Sequence, residues 1–343
     1  MYAEDSGGVA TGGDLRALSV APPPVPPPTP RSVPVHRSTP DRLFRGLTAV
    51  AGWTTLVVLG LIAVFLVMEA RPALDVAGWD FLKVWEWAPV NEPAIFGIAA
   101  VLYGTVVAAT IAILLAVPVA VGTALFVSEY VPVRVGRILT TLIDLLAAIP
   151  SLIYGMWGLY FLVPKLQGMQ IWLADHLGFI PFFRNETGLF GRSMFDAGVV
   201  LALMVIPIVA TVSREVMSQA PRVVREAALA LGSTRLGMIR SVVLPFSRPG
   251  IIGGAMLGLG RALGETIAVA LILSVDFRIS PEITKTGGST IASLIANNFA
   301  EAGELERHAL IAAGLSLFVI TLVVNMVARL IVSRAAKGSD YDR

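Results

Sequence analysis

The sequence has 343 residues, 55 % of them hydrophobic and 15 % charged, with a formal net charge of +2 and a mean hydropathy of +0.77. Soluble domains carry about a quarter charged residues, so this composition excludes an ordinary water-soluble globule and predicts an all-α polytopic membrane protein. The chain has no cysteine, which excludes disulfides, thiolate nucleophiles and cysteine metal sites.

Residues 1–42 are rich in Pro, Gly and Ser and include Pro22-Pro23-Pro24 and Pro26-Pro27-Pro28. Such a tail cannot bury a core and is expected to be disordered or polyproline-like. It does not read as a signal peptide, because the first apolar run starts only near Gly46. A membrane domain is expected over 43–336, with spans at 46–69, 95–127, 137–163, 196–213, 249–275 and 308–332, and a short tail at 337–343. The second span is too long for one straight crossing, so a kink is expected at Pro118. Pro150 and Pro207 fall inside the third and fourth spans, where neighbouring helices can satisfy the freed carbonyls. The fourth is the shortest and is flanked by Asp196 and Arg214.

With the N-terminus inside, the inner segments hold 17 Lys and Arg and the outer loops 8, with Arg261 left within a span. By the positive-inside rule both termini are cytoplasmic. The loop between spans four and five, residues 214–248, is then cytoplasmic and carries six arginines. Within it, Arg222 to Leu231 reads as a helix. Gly232 is placed to stop it, Ser233 to cap the next helix, and Pro245 to bend the chain before the membrane. An alanine-rich helix of this kind suits a groove on another protein, and it also suits lying on the bilayer surface.

Glu226, Ala227, Ala228, Gly232, Val242, Leu244 and Pro245 together resemble the EAA loop of ABC-importer membrane subunits, with valine where the family usually has isoleucine. The resemblance implies a type I importer permease fold and a helix that docks into a separate ATPase subunit. Arg225 to Ala228, Gly232, Leu244 and Pro245 become the expected ATPase-coupling residues. None of the four lysines follows a glycine, so no P-loop is present in this chain. ATP and magnesium are expected on the partner ATPase, and no cofactor on this chain.

Arg261 lies deep in span five, where a central arginine costs about 2.5–3.5 kcal/mol on insertion scales. Glu265 follows at i+4, so a continuous helix would put the two on one face as an ion pair. Gly254/Gly258 and Gly260/Gly264 give two spacings suited to close helix approach. Two readings stand together: a structural ion pair locking a helix contact, or a guanidinium lining an anion pathway. Asp144 in span three either pairs with Arg137 or a neighbouring helix, or joins that pathway. The three histidines, His36, His176 and His308, have no metal-ligand spacing.

Leu145 to Ser151 with Tyr154-Gly155, and Gly260 to Thr266, narrow the resemblance to permeases of the phosphate-specific importers. Ile95-Phe96-Gly97 and Tyr103-Gly104-Thr105 point to the PstC type rather than the PstA type. The resemblance covers about residues 45–335. It implies phosphate passage along Arg261 and Glu265, with Thr266 and Asp144 as further pathway candidates; the family often has glutamate at position 144. It also implies a second PstA-like permease, two PstB-like ATPase subunits and a PstS-like extracytoplasmic binding protein, in the bacterial inner membrane. No nucleic acid is implied. Trp79, Phe81, Trp85 and Trp87 in the first outer loop fit either an interfacial aromatic belt or a docking surface for that binding protein. Sulfate or molybdate is the alternative cargo. An intramembrane enzyme is the distant alternative, weakened by the lack of an intramembrane lysine or histidine base.

Overall fold

The computed structural model describes residues 39–340; the proline-rich tail up to residue 38 and the last three residues lie outside them. The chain divides into two compact units, 1–57 and 58–343. Of the first, the described part is the N-terminal portion of helix α1 (Thr39–Ala77), whose described side chains there are all exposed.

In the second unit the helices are α2 (Ala99–Leu125), α3 (Val133–Ala148), α4 (Ser151–Trp157), α5 (Val163–Leu177), α6 (Met194–Ser218), α7 (Arg222–Ala230), α8 (Arg235–Met238), α9 (Leu244–Gly264), α10 (Ile267–Ile272), α11 (Ile291–Asn298) and α12 (Glu304–Asp340). A two-stranded antiparallel hairpin, β1 (Trp87–Ala88) and β2 (Ile95–Phe96), precedes α2. Among the described residues five helices are long and apolar enough to cross a membrane. A sixth crossing is available if the bent pair of helices 133–147 and 151–177 counts as one span.

That bend corrects the expectation of a continuous third helix through Pro150. The two segments meet at 88°. Proline disfavours the α conformation in the residue before it, and Ile149 is accordingly extended, with φ −65° and ψ 129°. One carbonyl freed by the break, that of Leu146, accepts the Tyr154 hydroxyl at 3.0 Å.

The fourth helix, read as the shortest, is instead the most deeply buried of the candidate spans. It reaches past both flanking charges, to Ser218, and its N-terminus is self-capped. Ser193 Oγ accepts from the Asp196 N–H, and the Asp196 carboxylate accepts from the Ser193 N–H at 3.0 Å. Gln170 Nε2 adds a donor to Asp196 at 2.7 Å. Along α2, Ala108, Ala112, Ala116, Ala120 and Ala124 recur every fourth residue and are almost wholly buried. This small-residue stripe lets α2 and α6 approach closely, and they form the most extensive helix pair in the fold. On α9, Gly254 and Gly258 face α6: a Cβ at Gly258 would lie 2.6 Å from Val205 Cγ1. The second glycine pair, Gly260 and Gly264, faces open space.

The fifth span is also interrupted. α9 ends at Gly264, Glu265 is extended with φ −68° and ψ 126°, and α10 restarts at Ile267. Gly264 in the last turn and Gly260 just before it weaken the helix, and Thr266 Oγ1 donates to the Gly264 carbonyl at 3.1 Å, competing with helical continuation. After Ile272 the chain is irregular as far as α11, so no helix continues to residue 275.

Candidate functional site

Two groups of residues carry the candidate function, at opposite ends of α9. The first is the elbow formed by α7 and α8. Gly232 has φ +84°, the left-handed conformation that glycine adopts without a Cβ penalty. The Gly232 N–H reaches the Leu229 carbonyl and the Ser233 N–H the Ala228 carbonyl, at 3.0 and 3.1 Å. That is the double closure of a Schellman motif. The cap of α8 is Thr234 rather than Ser233, its hydroxyl accepting the Gly237 N–H at 3.1 Å. Pro245 does not bend the chain, because α8 runs into α9 through a π-turn at Ile239–Val243. A proline ring collides with the carbonyl four residues back. For Pro245 that residue is Ser241, which lies inside the wider π-turn.

The motif residues divide by face. Ala228 and Leu244 pack against a buried cluster of Ala124, Met217, Met238, Ile239 and Val243. Glu226, Ala227 and Val223 are exposed on the opposite side of α7. Arg225 turns inward: its Nη1 lies 3.0 Å from Glu129 Oε1, and its Nη2 donates to the Met217 carbonyl.

The second group surrounds the break in the fifth span. Arg261 stands in the last turn of α9, and among the described residues its buried Nε has no hydrogen-bond partner. The expected Arg261–Glu265 ion pair does not form. An i,i+4 pair requires an unbroken helix, and Glu265 sits past the helix end. Tyr154 of α4 is within Coulombic reach of the guanidinium. Asp144 does not pair with Arg137; it accepts the Thr211 hydroxyl at 3.1 Å, tying α3 to α6. A cavity of about 390 Å³ is lined by Leu146, Ile149, Ile153, Tyr154, Trp157 and Leu203. A further cavity of about 800 Å³ runs along α9 and α12, apolar apart from Asn325 and Arg329, and does not include Arg261.

Two further features were not evident in the sequence. Arg192 is a non-glycine residue at φ +53°, and its Nε and Nη2 donate to the Ile272 and Leu273 carbonyls at 3.2 and 3.1 Å. It thereby caps the C-terminus of α10. The aromatic residues between α1 and α2 split: Phe81 is buried against Phe96, Trp87 is partly buried beside it, and Trp79 and Trp85 are exposed. The capping of α6 had a local signal, Ser193-x-x-Asp196; the Arg192 contacts had none.

Residues 112–337 match the family of binding-protein-dependent transport system inner membrane components. The chain belongs to that family. Within it, the sequence is 42 % identical over 300 residues to the phosphate transport system permease protein PstC of Xylella fastidiosa strain 9a5c, covering 87 % of this chain and 92 % of that one. It is 41 % identical over 302 residues to PstC 2 of Mycobacterium tuberculosis strain H37Rv, covering 87 % and 93 %. A bacterial alginate ABC transporter solved with its alginate-bound periplasmic protein has the same fold, with a TM-score of 0.55 at 16 % identity, covering 85 % of this chain and 96 % of that one. For this PstC-family permease, the matched range includes Asp144, the whole elbow and the broken span, and leaves out α1 and the first outer loop.

Proposed function

We propose that this chain is the membrane permease subunit of an ATP-driven importer of inorganic phosphate. In this reading both termini are cytoplasmic, supported by the excess of Lys and Arg on that side. A second permease and two ATPase subunits complete the transporter, and an extracytoplasmic binding protein delivers the anion. The family is an inner membrane one, and the relatives with the highest identity quoted above are phosphate permeases. The subunit does no bond chemistry itself; ATP and magnesium act on the partner ATPase.

The observation that carries the reading is the unpartnered Nε of Arg261 beside a break in a membrane span. A helix C-terminus stabilises a cation by about 0.3–1 kcal/mol, against a burial cost of about 2.5–3.5 kcal/mol. The dipole leaves most of that cost standing, so a ligand or water must complete the site. A guanidinium is permanently charged and offers parallel N–H donors matched to the edge of a tetrahedral oxyanion. Unwound backbone at such a break is tolerated where it lines a cavity. Glu265, one residue past the helix end, limits how tightly an anion is held. Asp144, through Thr211, fixes α3 against α6 so that Tyr154 stays within reach of Arg261.

At the other end, the exposed face of α7 with Glu226 is the surface on which an ATPase subunit docks. ATP-driven closure of the ATPases then moves the elbow and alternates access to Arg261. The test is reconstitution of the complete transporter in proteoliposomes, with Arg261→Gln as the variant. Phosphate uptake is expected to vanish while all subunits still co-purify. Surviving uptake, or uptake lost only because the complex dissociates, refutes the pathway role, and ATP-driven uptake of sulfate or molybdate in place of phosphate refutes the cargo.

A further inference from the structure

Glu129 has no place in the coupling motif or the pathway, yet its side chain is 5 % exposed; among the described residues Arg225 is the cation paired with its carboxylate, and the Ser128 hydroxyl donates to the same oxygen at 3.5 Å. It stands in a π-turn, Phe126–Tyr130, that ends the α2 span. Turns of this kind interrupt helices most often where a function needs them. The next residue, Tyr130, lies under the Arg235 guanidinium, 5.3 Å from the ring centroid. Two neighbouring residues at the end of α2 therefore receive one cation from each helix of the elbow.

The Arg225 guanidinium also holds the end of α6, because its Nη2 donates to the Met217 carbonyl in the last turn of that helix. A buried carboxylate is tolerable only while its partner is present. Separation of α7 from α2 would leave the Glu129 charge against the buried cluster of Ala124, Met217 and Met238. The pair thus penalises any movement of the elbow that α2 and α6 do not follow. Those two helices are locked to each other by the alanine stripe, so they follow as one body.

We propose that Glu129 is a positioning residue of the transport cycle: through Arg225 it clamps the ATPase-docking helix to the α2–α6 pair, so that movement of the elbow reaches the membrane helices directly. This rests on the proposed ATP-driven reading.

The experiment uses the full transporter in lipid nanodiscs. The chain has no cysteine of its own, so spin labels can be placed before assembly at Arg222→Cys on α7 and Val119→Cys on α2, both exposed positions. The distance between them is expected to be the same in the nucleotide-free and ATP-bound states. Adding Glu129→Gln is expected to broaden or shift that distance. Phosphate moved per ATP hydrolysed should fall by about a hundredfold or more, the lower end of the scale of a broken buried ion pair, with the ATPase subunits still bound. Arg225→Lys, which keeps the charge but reaches Glu129 and Met217 less well, is expected to fall between the two. A native distance that changes by several Å on ATP binding overturns the clamp. So does an unchanged ratio of phosphate to ATP in Glu129→Gln, or loss of the ATPase subunits as its only effect. If the native complex moves no phosphate while the distance stays fixed, the clamp stands and the cargo assignment fails.

Discussion

Arg192 offers a prediction in which backbone and side chain pull in opposite directions. Its φ of +53° is the left-handed region, which costs a residue with a Cβ about 1–2 kcal/mol. Its guanidinium offsets that cost with two hydrogen bonds to the C-terminal carbonyls of α10, and a bond from a charged donor contributes about 1.5–3 kcal/mol. Arg192→Ala keeps the strain and loses both bonds, so it is expected to destabilise by about 3 kcal/mol or more. Arg192→Gly loses the same bonds and releases the strain, but adds about 0.5–1 kcal/mol of backbone entropy cost. Glycine should therefore be the milder replacement by about 0.5–1 kcal/mol, an inversion of the usual order in which alanine is preferred. The assay is thermal unfolding of the purified transporter in one detergent, at one protein concentration, with phosphate uptake measured in parallel. The expected order of midpoints is native, then Gly, then Ala. If Ala equals or exceeds Gly, the strain argument fails; if neither differs from native, the capping of α10 contributes nothing.

Glu226→Lys reverses a charge exposed on α7 and is expected to abolish binding-protein-stimulated ATP hydrolysis while the permease keeps its thermal stability; normal ATP-driven uptake in that variant removes the docking assignment. Gly232→Ala puts a Cβ at φ +84°, and should weaken the elbow by about 1 kcal/mol, read as reduced ATPase stimulation with unchanged assembly. Gly258→Leu forces a Cβ to 2.6 Å from Val205 Cγ1, whereas a Cβ at Gly260 meets nothing within 4 Å. Overpacking costs about 1–3 kcal/mol, so the yield of folded permease should fall sharply for Gly258→Leu and remain near native for Gly260→Ala. Asp144→Asn keeps an acceptor for Thr211 and is expected to retain uptake better than Asp144→Leu; equal loss in both would mean that the charge, not the tie to α6, matters.

What the sequence made legible is what local chemistry decides. The stop at Gly232 needs only a residue free to adopt positive φ after a helix-forming run, and it lies where the motif puts it. Family membership followed from the EAA spacing, a one-dimensional signal. Two of the misread elements assumed that a helix continues. Pro150 was treated as tolerable within a span, but Ile149 before it goes extended and the chain turns by 88°. The Arg261–Glu265 pair relied on 3.6-residue periodicity across Gly264, where periodicity stops. Pro245 invited the opposite error, since the π-turn that accommodates it has no compositional mark. Arg192 and Glu129 were invisible for a further reason. Their partners stand 80 or more residues away, and only tertiary packing brings them together.

The same interruptions give the proposed cycle its geometry. From Arg235 to Gly264 the chain is one helical rod of 30 residues, about 45 Å long at 1.5 Å per residue. Its first turn belongs to the elbow and its last turn carries Arg261. A rod of that length cannot shorten, so displacement of the elbow must appear at Arg261, or else be absorbed by bending at Pro249 or the π-turn. Beyond Gly264 the rod is interrupted: α10 is held by Arg192, whose neighbours Phe190 and Ser193 pair with Lys285 and Thr286 in the segment between α10 and α11. In the proposed cycle, drive from the elbow therefore reaches the near side of the Glu265–Thr266 break, and docking of the binding protein reaches the far side. In an unbroken fifth span Arg261 and α10 would move together, and neither input could change the surroundings of the guanidinium. In the proposed cycle this break lets the cation meet one side of the membrane in one state and the other side in the next.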